Sequence, residues 1–198
     1  MNDLLRPRPP LPCTRRRLAA LLLAGLGAAG CAQAAAADWG LVQDGTVVLL
    51  RHASAPGVGD PPGFTLGDCS TQRNLDDAGR AQAKRLGQAF RGRQVAVRQV
   101  LSSQWCRTRE TAQLAFPGLV QDAPVFNSFF ADAGRDRDRE QTAQALALLG
   151  QWRGPGVLVV VTHQVNITAL SGVVPASGEA VVLRPAAGRL QLLGRLQP

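Results

Sequence analysis

Histidine is scarce in this sequence: its 198 residues hold only two, His52 and His163. No third metal-binding side chain lies at helical or short-loop spacing from either, which argues against a zinc site. Beyond the first forty residues no apolar run is long enough to cross a bilayer. Aromatic residues are not interleaved with the basic ones and the arginines are dispersed, a pattern that argues against a nucleic-acid partner. No internal repeat is visible.

The amino terminus differs from the rest. "CTRRRLAALLLAGLGAAGCAQAAAA", residues 13–37, runs from basic to apolar to small residues, the order of an export signal, and "TRRRLA" fits the twin-arginine pattern. Two endings stay open. "AAGC" resembles a lipobox that would lipidate Cys31, with Ala28 where Leu is usual; "AQA" fits cleavage near Ala34. The expectation is a signal over residues 1–37 and one domain over 38–198, placed in the periplasm or anchored to the envelope through Cys31. About 160 residues suffice for one domain with a full core.

The formal charge of +8 is partly a property of that leader. Residues 1–34 hold five arginines and one aspartate, leaving 17 basic against 13 acidic residues, a net of +4. A mild basic bias suits a small anionic ligand. Of the four cysteines, Cys13 and Cys31 belong to the leader. Cys69 and Cys106 remain, an even pair in a chain read as exported, and a disulfide between them is expected.

Apolar runs then alternate with helical patterns. Strands are expected at Thr46–Leu50, Val95–Leu101, Val157–Val161, Ala180–Leu183 and Leu190–Leu196; several show little alternation, as strands buried on both faces do. Asp76 is a good N-cap, and Leu75, Gly79, Ala83, Leu86 and Phe90 recur at helical spacing behind it. Further helices are expected over Gln104–Ala115, over Glu140–Gly150 and from near Val165. This is the pattern of a three-layer α/β/α sandwich around a mostly parallel sheet. Two long loops, 53–72 and 117–139, interrupt it, and long loops in compact domains are functional or disordered.

Each histidine closes an apolar run: "VVLLRHASAPG" holds His52 and "VLVVVTHQVN" holds His163. Ligands of open α/β sheets bind beyond the carboxyl ends of the strands, so two strands would deliver two imidazoles to one edge. Arg51 precedes His52, and Arg107 sits just inside a helix start, where free N–H groups and the dipole favour anions. Arginine adds a fork matched to phosphate oxygens. Together these residues describe a phosphate pocket.

The sequence resembles the histidine phosphatase superfamily, the phosphoglycerate mutase-like fold. "LLRHASAPG" resembles its Arg-His-Gly signature with Ala53 in the glycine place, and "QRNLDDAGRAQA" resembles its Leu-x-x-x-Gly-x-x-Gln-Ala helix. "SSQWCRTRETA" resembles the block that carries the second arginine, and "THQVNITALSG" the second histidine block. The resemblance implies that His52 attacks phosphorus and becomes a phosphohistidine, while Arg51, Arg107 and His163 hold the phosphoryl oxygens. It implies no metal and no cofactor. The match departs at the proton donor. Gln164 stands where one branch has Asp, and Asn127 sits about where the other has Glu; Asp132 is the candidate acid and Glu140 the second. Arg73 is a further candidate for the pocket wall. Trp105 and Phe129 could flank a substrate, though core packing suits each better. The expected activity is a metal-independent phosphomonoesterase acting on a small or envelope-associated phosphate ester. The alternatives are a mutase-like phosphotransferase and a catalytically weak phosphosugar-binding protein.

Overall fold

A computed structural model describes residues 38–130 and 135–197. The expected signal over residues 1–37, Cys31 and Asp132 all lie outside the described residues. Among those described, no helix is long and apolar enough to cross a membrane.

The chain runs β1 (Val47–Arg51), α1 (Asp77–Gly92), β2 (Val97–Ser102), α2 (Cys106–Ala115), β3 (Val120–Asp122), α3 (Arg135–Leu149), β4 (Val157–Thr162), α4 (Gln164–Ser171), β5 (Ala180–Ala186) and β6 (Arg189–Leu196). The strands form one sheet in the order β3-β2-β4-β1-β5-β6. β1, β2, β3 and β4 are mutually parallel; β5 runs antiparallel to β1 and β6 antiparallel to β5. β4 therefore lies between the strands that lead to His52 and to Arg107.

The near-continuous Val and Leu of β1 and β4 reflect burial on both faces. Val48 and Leu50 pack with Leu86 and Phe90 of α1 and Ala112 and Ala115 of α2. Val47 and Leu49 pack on the opposite face with Leu149 of α3 and Ile167 of α4. Helices thus cover both faces and complete three layers. The Asp76 side chain accepts from Gly79 N–H at 2.7 Å and caps α1 as its position predicts. Two glycines of α1 permit close approach. A Cβ on Gly79 would lie 2.0 Å from the Ser54 carbonyl oxygen, and one on Gly87 2.2 Å from that of Ala115. Gly79 lets α1 press against the turn that follows His52.

The differences from expectation have local causes. β3 falls within the stretch read as a loop, because three residues with the sequence Val-Gln-Asp carry no apolar run and their register is set by pairing with β2. α3 begins five residues before Glu140, since its charged opening offers no apolar period to read. β5 continues past Leu183 through Pro185. Its pairing with β1 ends at Leu183, so the missing proline N–H leaves no gap in that ladder.

Candidate active site

The parallel strands β1, β2 and β4 end at one edge of the sheet, and the chemistry gathers there. His52 leaves β1 with its N–H donating to the Thr162 carbonyl of β4 at 3.0 Å. His163 leaves β4 one residue later and caps α4 with extended backbone. The two imidazole centroids are 5.6 Å apart. A cavity of about 290 Å³ opens over them, lined also by Arg51, Arg73, Arg107 and Asp60.

His52 is buried, with Nδ1 2.7 Å from its neighbour's carbonyl oxygen on Ala53. A carbonyl only accepts, so Nδ1 carries the proton and the Nε2 lone pair is left for a reacting atom. Burial pushes the His52 pKa down to about 3, assisted by the charges of Arg107, Arg51 and Arg73 and opposed by the Ala53 hydrogen bond. The imidazole is neutral near pH 7, as a nucleophile requires. His163 is driven well below its ordinary pKa by complete burial, then by Arg107, His52 and the other arginines. Its Nδ1 faces Arg107 Nη2 at 3.5 Å, and its Nε2 lies 2.8 Å from Ser103 Oγ. Guanidinium only donates, so the neutral ring accepts at Nδ1 and donates from Nε2. Ser103 in turn donates to Asn127 Oδ1 at 3.3 Å. Asn127, near the expected place of a glutamate, thus belongs to the support of His163.

Three arginines surround the imidazoles. Arg51 donates from Nη1 to the Pro175 carbonyl, and its buried Nε has no protein partner among the described residues. Arg73, which the sequence marks only as a candidate wall residue, does line the cavity. It is fixed by bonds from Nε to the Gly59 carbonyl and from Nη1 to that of Ala55. Arg107 is buried in the first turn of α2. The start of that helix is not an open anion cradle, because Cys106 N–H already donates to Gln72 Oε1 at 3.0 Å.

Asp60 is the residue that sequence reading does not find. It comes from the Pro- and Gly-rich loop after β1, and its carboxylate is largely enclosed, with 8 % of the side chain exposed. It accepts from Arg107 Nη1 at 2.8 Å, Arg107 Nη2 at 3.1 Å, Trp105 Nε1 at 3.0 Å and Arg73 N–H at 3.1 Å. Burial pushes the Asp60 pKa up, but these bonds and the Arg107 charge outweigh it and hold the carboxyl below the usual range. Asp60 is ionised near neutral pH and so a poor proton donor. Glu140 is exposed on α3, where it accepts from Gln144, and is not among the cavity-lining residues. Val58, Phe64, Trp105, Phe130 and Val165 add apolar lining to the cavity, whereas Phe129 lines a separate recess with Gln141 and Leu170.

Cys69 and Cys106 form a disulfide, with Cα atoms 5.6 Å apart. It ties the loop that carries Asp60 and Arg73 to the first residue of α2, one position before Arg107. Among the described residues no group of three or more His, Cys, Asp or Glu side chains is arranged to hold a metal ion.

Residues 47–125, which span β1 to β3, match the family model of the histidine phosphatase superfamily (branch 1). No curated protein matches the chain in sequence. Several solved structures share the fold. A phosphoserine phosphatase from Entamoeba histolytica, in complex with 3-phosphoglyceric acid, superposes with a TM-score of 0.57 at 14 % identity, over 77 % of this chain and 97 % of that one. A mycobacterial glucosyl-3-phosphoglycerate phosphatase gives 0.53 at 18 % identity, over 74 % and 95 %. The protein histidine phosphatase SixA complexed with tungstate gives 0.51 at 16 % identity, over 77 % and 97 %. The matched segment carries both the strand that ends at His52 and the helix that carries Arg107, and over these residues the chain is similar to the histidine phosphatase superfamily.

Proposed function

We propose that the protein is a metal-independent phosphomonoesterase that works through a phosphohistidine on His52. The observation that carries this reading is a neutral, buried imidazole with its Nε2 lone pair uncommitted, set among three arginines. In the first step that lone pair attacks phosphorus. An N–P bond forms as the P–O ester bond breaks, and the bonding pair leaves on the ester oxygen, which takes up a proton. The ring gains positive charge, and the Nδ1–H bond to the Ala53 carbonyl steadies it. In the second step water attacks phosphorus, releases a proton to solvent, and returns the N–P pair to Nε2. Arg51, Arg73 and Arg107 offset charge on the phosphoryl oxygens throughout, and the neutral His163 positions Arg107 by accepting from its Nη2. Asp132, two residues along the chain from the cavity-lining Phe130, supplies the leaving-group proton in this scheme, because Asp60 is held ionised.

The substrate is a small or envelope-associated phosphate ester, since the leader reads as an export signal; mass spectrometry of the mature amino terminus tests the export. The activity test is acid quench during turnover of a labelled phosphate ester. An acid-labile, base-stable label on His52, absent from His52→Ala, supports the scheme. Full turnover by His52→Ala, or complete loss of activity with chelator, refutes it. The relative complexed with tungstate binds a tetrahedral oxyanion, in keeping with a phosphoryl pocket in this chain.

A further inference from the structure

The Nη groups of Arg107 have no N–H to spare. Nη1 donates to Asp60 Oδ1 at 2.8 Å and to the Arg73 carbonyl at 3.3 Å; Nη2 donates to Asp60 Oδ2 at 3.1 Å and to His163 Nδ1 at 3.5 Å. The fork that the phosphatase reading assigns to substrate therefore already holds a two-oxygen anion, and that anion is part of the protein. A carboxylate and a phosphoryl edge offer a guanidinium the same pair of acceptors at nearly the same spacing, so the fork holds one or the other.

We propose that Asp60 is a placeholder for the phosphoryl group on Arg107: its carboxylate occupies the fork until a phosphoryl group replaces it. The proposal rests on the phosphatase reading above. Two further observations support it. Asp60 reaches the fork from the loop after β1, where Gly57 and Gly59 adopt positive φ angles of 90° and 69° and Val58 is 89 % exposed. Its backbone thus sits in a segment with solvent on one side and glycine freedom in it, unlike the sheet ends that fix the histidines. An internal anion also offsets the mutual repulsion of three buried or half-buried arginines, which would otherwise disfavour the folded site. The exchange sets a threshold for ligands: to enter, an anion must outbid a carboxylate for the fork. A dianionic phosphate monoester does so through its charge and its extra oxygen, whereas free carboxylates do not, which makes Asp60 a specificity-determining residue.

The test uses inorganic phosphate and acetate as competing anions in hydrolysis of p-nitrophenyl phosphate, with direct calorimetric titration of phosphate alongside for any variant that turns over too slowly. In Asp60→Asn, phosphate binding should tighten about tenfold, because the competent form of the fork no longer has to be won from a carboxylate. In Asp60→Ala, acetate should become a competitive inhibitor by taking the vacated position, while wild type stays insensitive. A fixed strut that merely aims Arg107 would behave in the opposite way: acetate would restore activity to Asp60→Ala, and phosphate would bind no better, or worse, to Asp60→Asn. Either result overturns the placeholder and leaves the phosphatase reading intact. Wild-type protein that neither binds phosphate nor cleaves the ester would remove both.

Discussion

Replacing Arg107 by methionine should unfold the protein at lower temperature for a reason that lies in Asp60. The two side chains are 3 % and 8 % exposed, and the carboxylate takes two of its four hydrogen bonds from the guanidinium. Methionine fills similar volume but leaves an ionised carboxylate with only Trp105 Nε1 and Arg73 N–H as donors. Breaking one side of an enclosed ion pair costs about 3–5 kcal/mol; the open cavity beside Asp60 admits water, so about 3 kcal/mol is the better figure here. For a domain of this size that lowers the melting temperature by roughly 6–12 °C. The measurement is thermal denaturation of the oxidised protein followed by circular dichroism, for wild type, Arg107→Met, Asp60→Asn and the double variant. The double variant should recover most of the loss, because a neutral amide can be left partly unpaired far more cheaply than a charge. An Arg107→Met melting temperature within 2 °C of wild type, on a scale where each kcal/mol shifts it by about 2–4 °C, would refute the reasoning, as would a double variant no more stable than the single.

Neutral burial of His52 and His163 makes stability depend on pH. Their folded pKa values are depressed, so below the ordinary histidine range the unfolded chain takes up protons that the folded one refuses. Stability is fully present above about pH 6.5 and falls as the pH drops toward the His52 value of about 3. Urea midpoints at neutral and mildly acid pH should show this fall in wild type and a smaller one in His52→Gln; equal falls would contradict it. Reducing the Cys69–Cys106 disulfide, which closes a separation of 37 residues, should cost about 4 kcal/mol by loop entropy, read as a lower urea midpoint in dithiothreitol. An unchanged midpoint would contradict the loop-entropy account. Asp132→Asn should slow alkyl phosphates far more than p-nitrophenyl phosphate, whose leaving group needs no acid; equal effects in steady-state assays would remove Asp132 from the proton step.

Much of the fold could be read from the chain because its signals are local. Val47–Leu50 and Val157–Val161 announce doubly buried strands by composition, and Asp76 announces a helix start by type and position. The two histidines could be placed at one edge because a parallel sheet puts the carboxyl ends of its strands together. Asp60 could not be found this way. Its loop has no period, and one aspartate among prolines and glycines reads as a turn residue until α2 brings Arg107 and Trp105 against it. β3 escaped for a related reason, being a strand only by virtue of its neighbour. Arg73 lay between these cases: its presence in "STQRNL" is plain, but which way it turns is decided by the carbonyls of Ala55 and Gly59.

The position of β4 in the sheet bears on how the protein is made. The residues leading to His52 and to Arg107 leave the ribosome early, yet their strands are not neighbours, and the strip between them is filled by a segment synthesised later than both. Until Val157–Thr162 inserts, the part of the chain before it holds His52 and Arg107 after strands with no ladder to join them, and Thr162 and His163 arrive together. The cluster of His52, Arg107 and His163 is therefore complete only once β4 is in place. Long-range pairing of this kind closes slowly, and the apolar edges of β1 and β2 are left open to other partners in the interval.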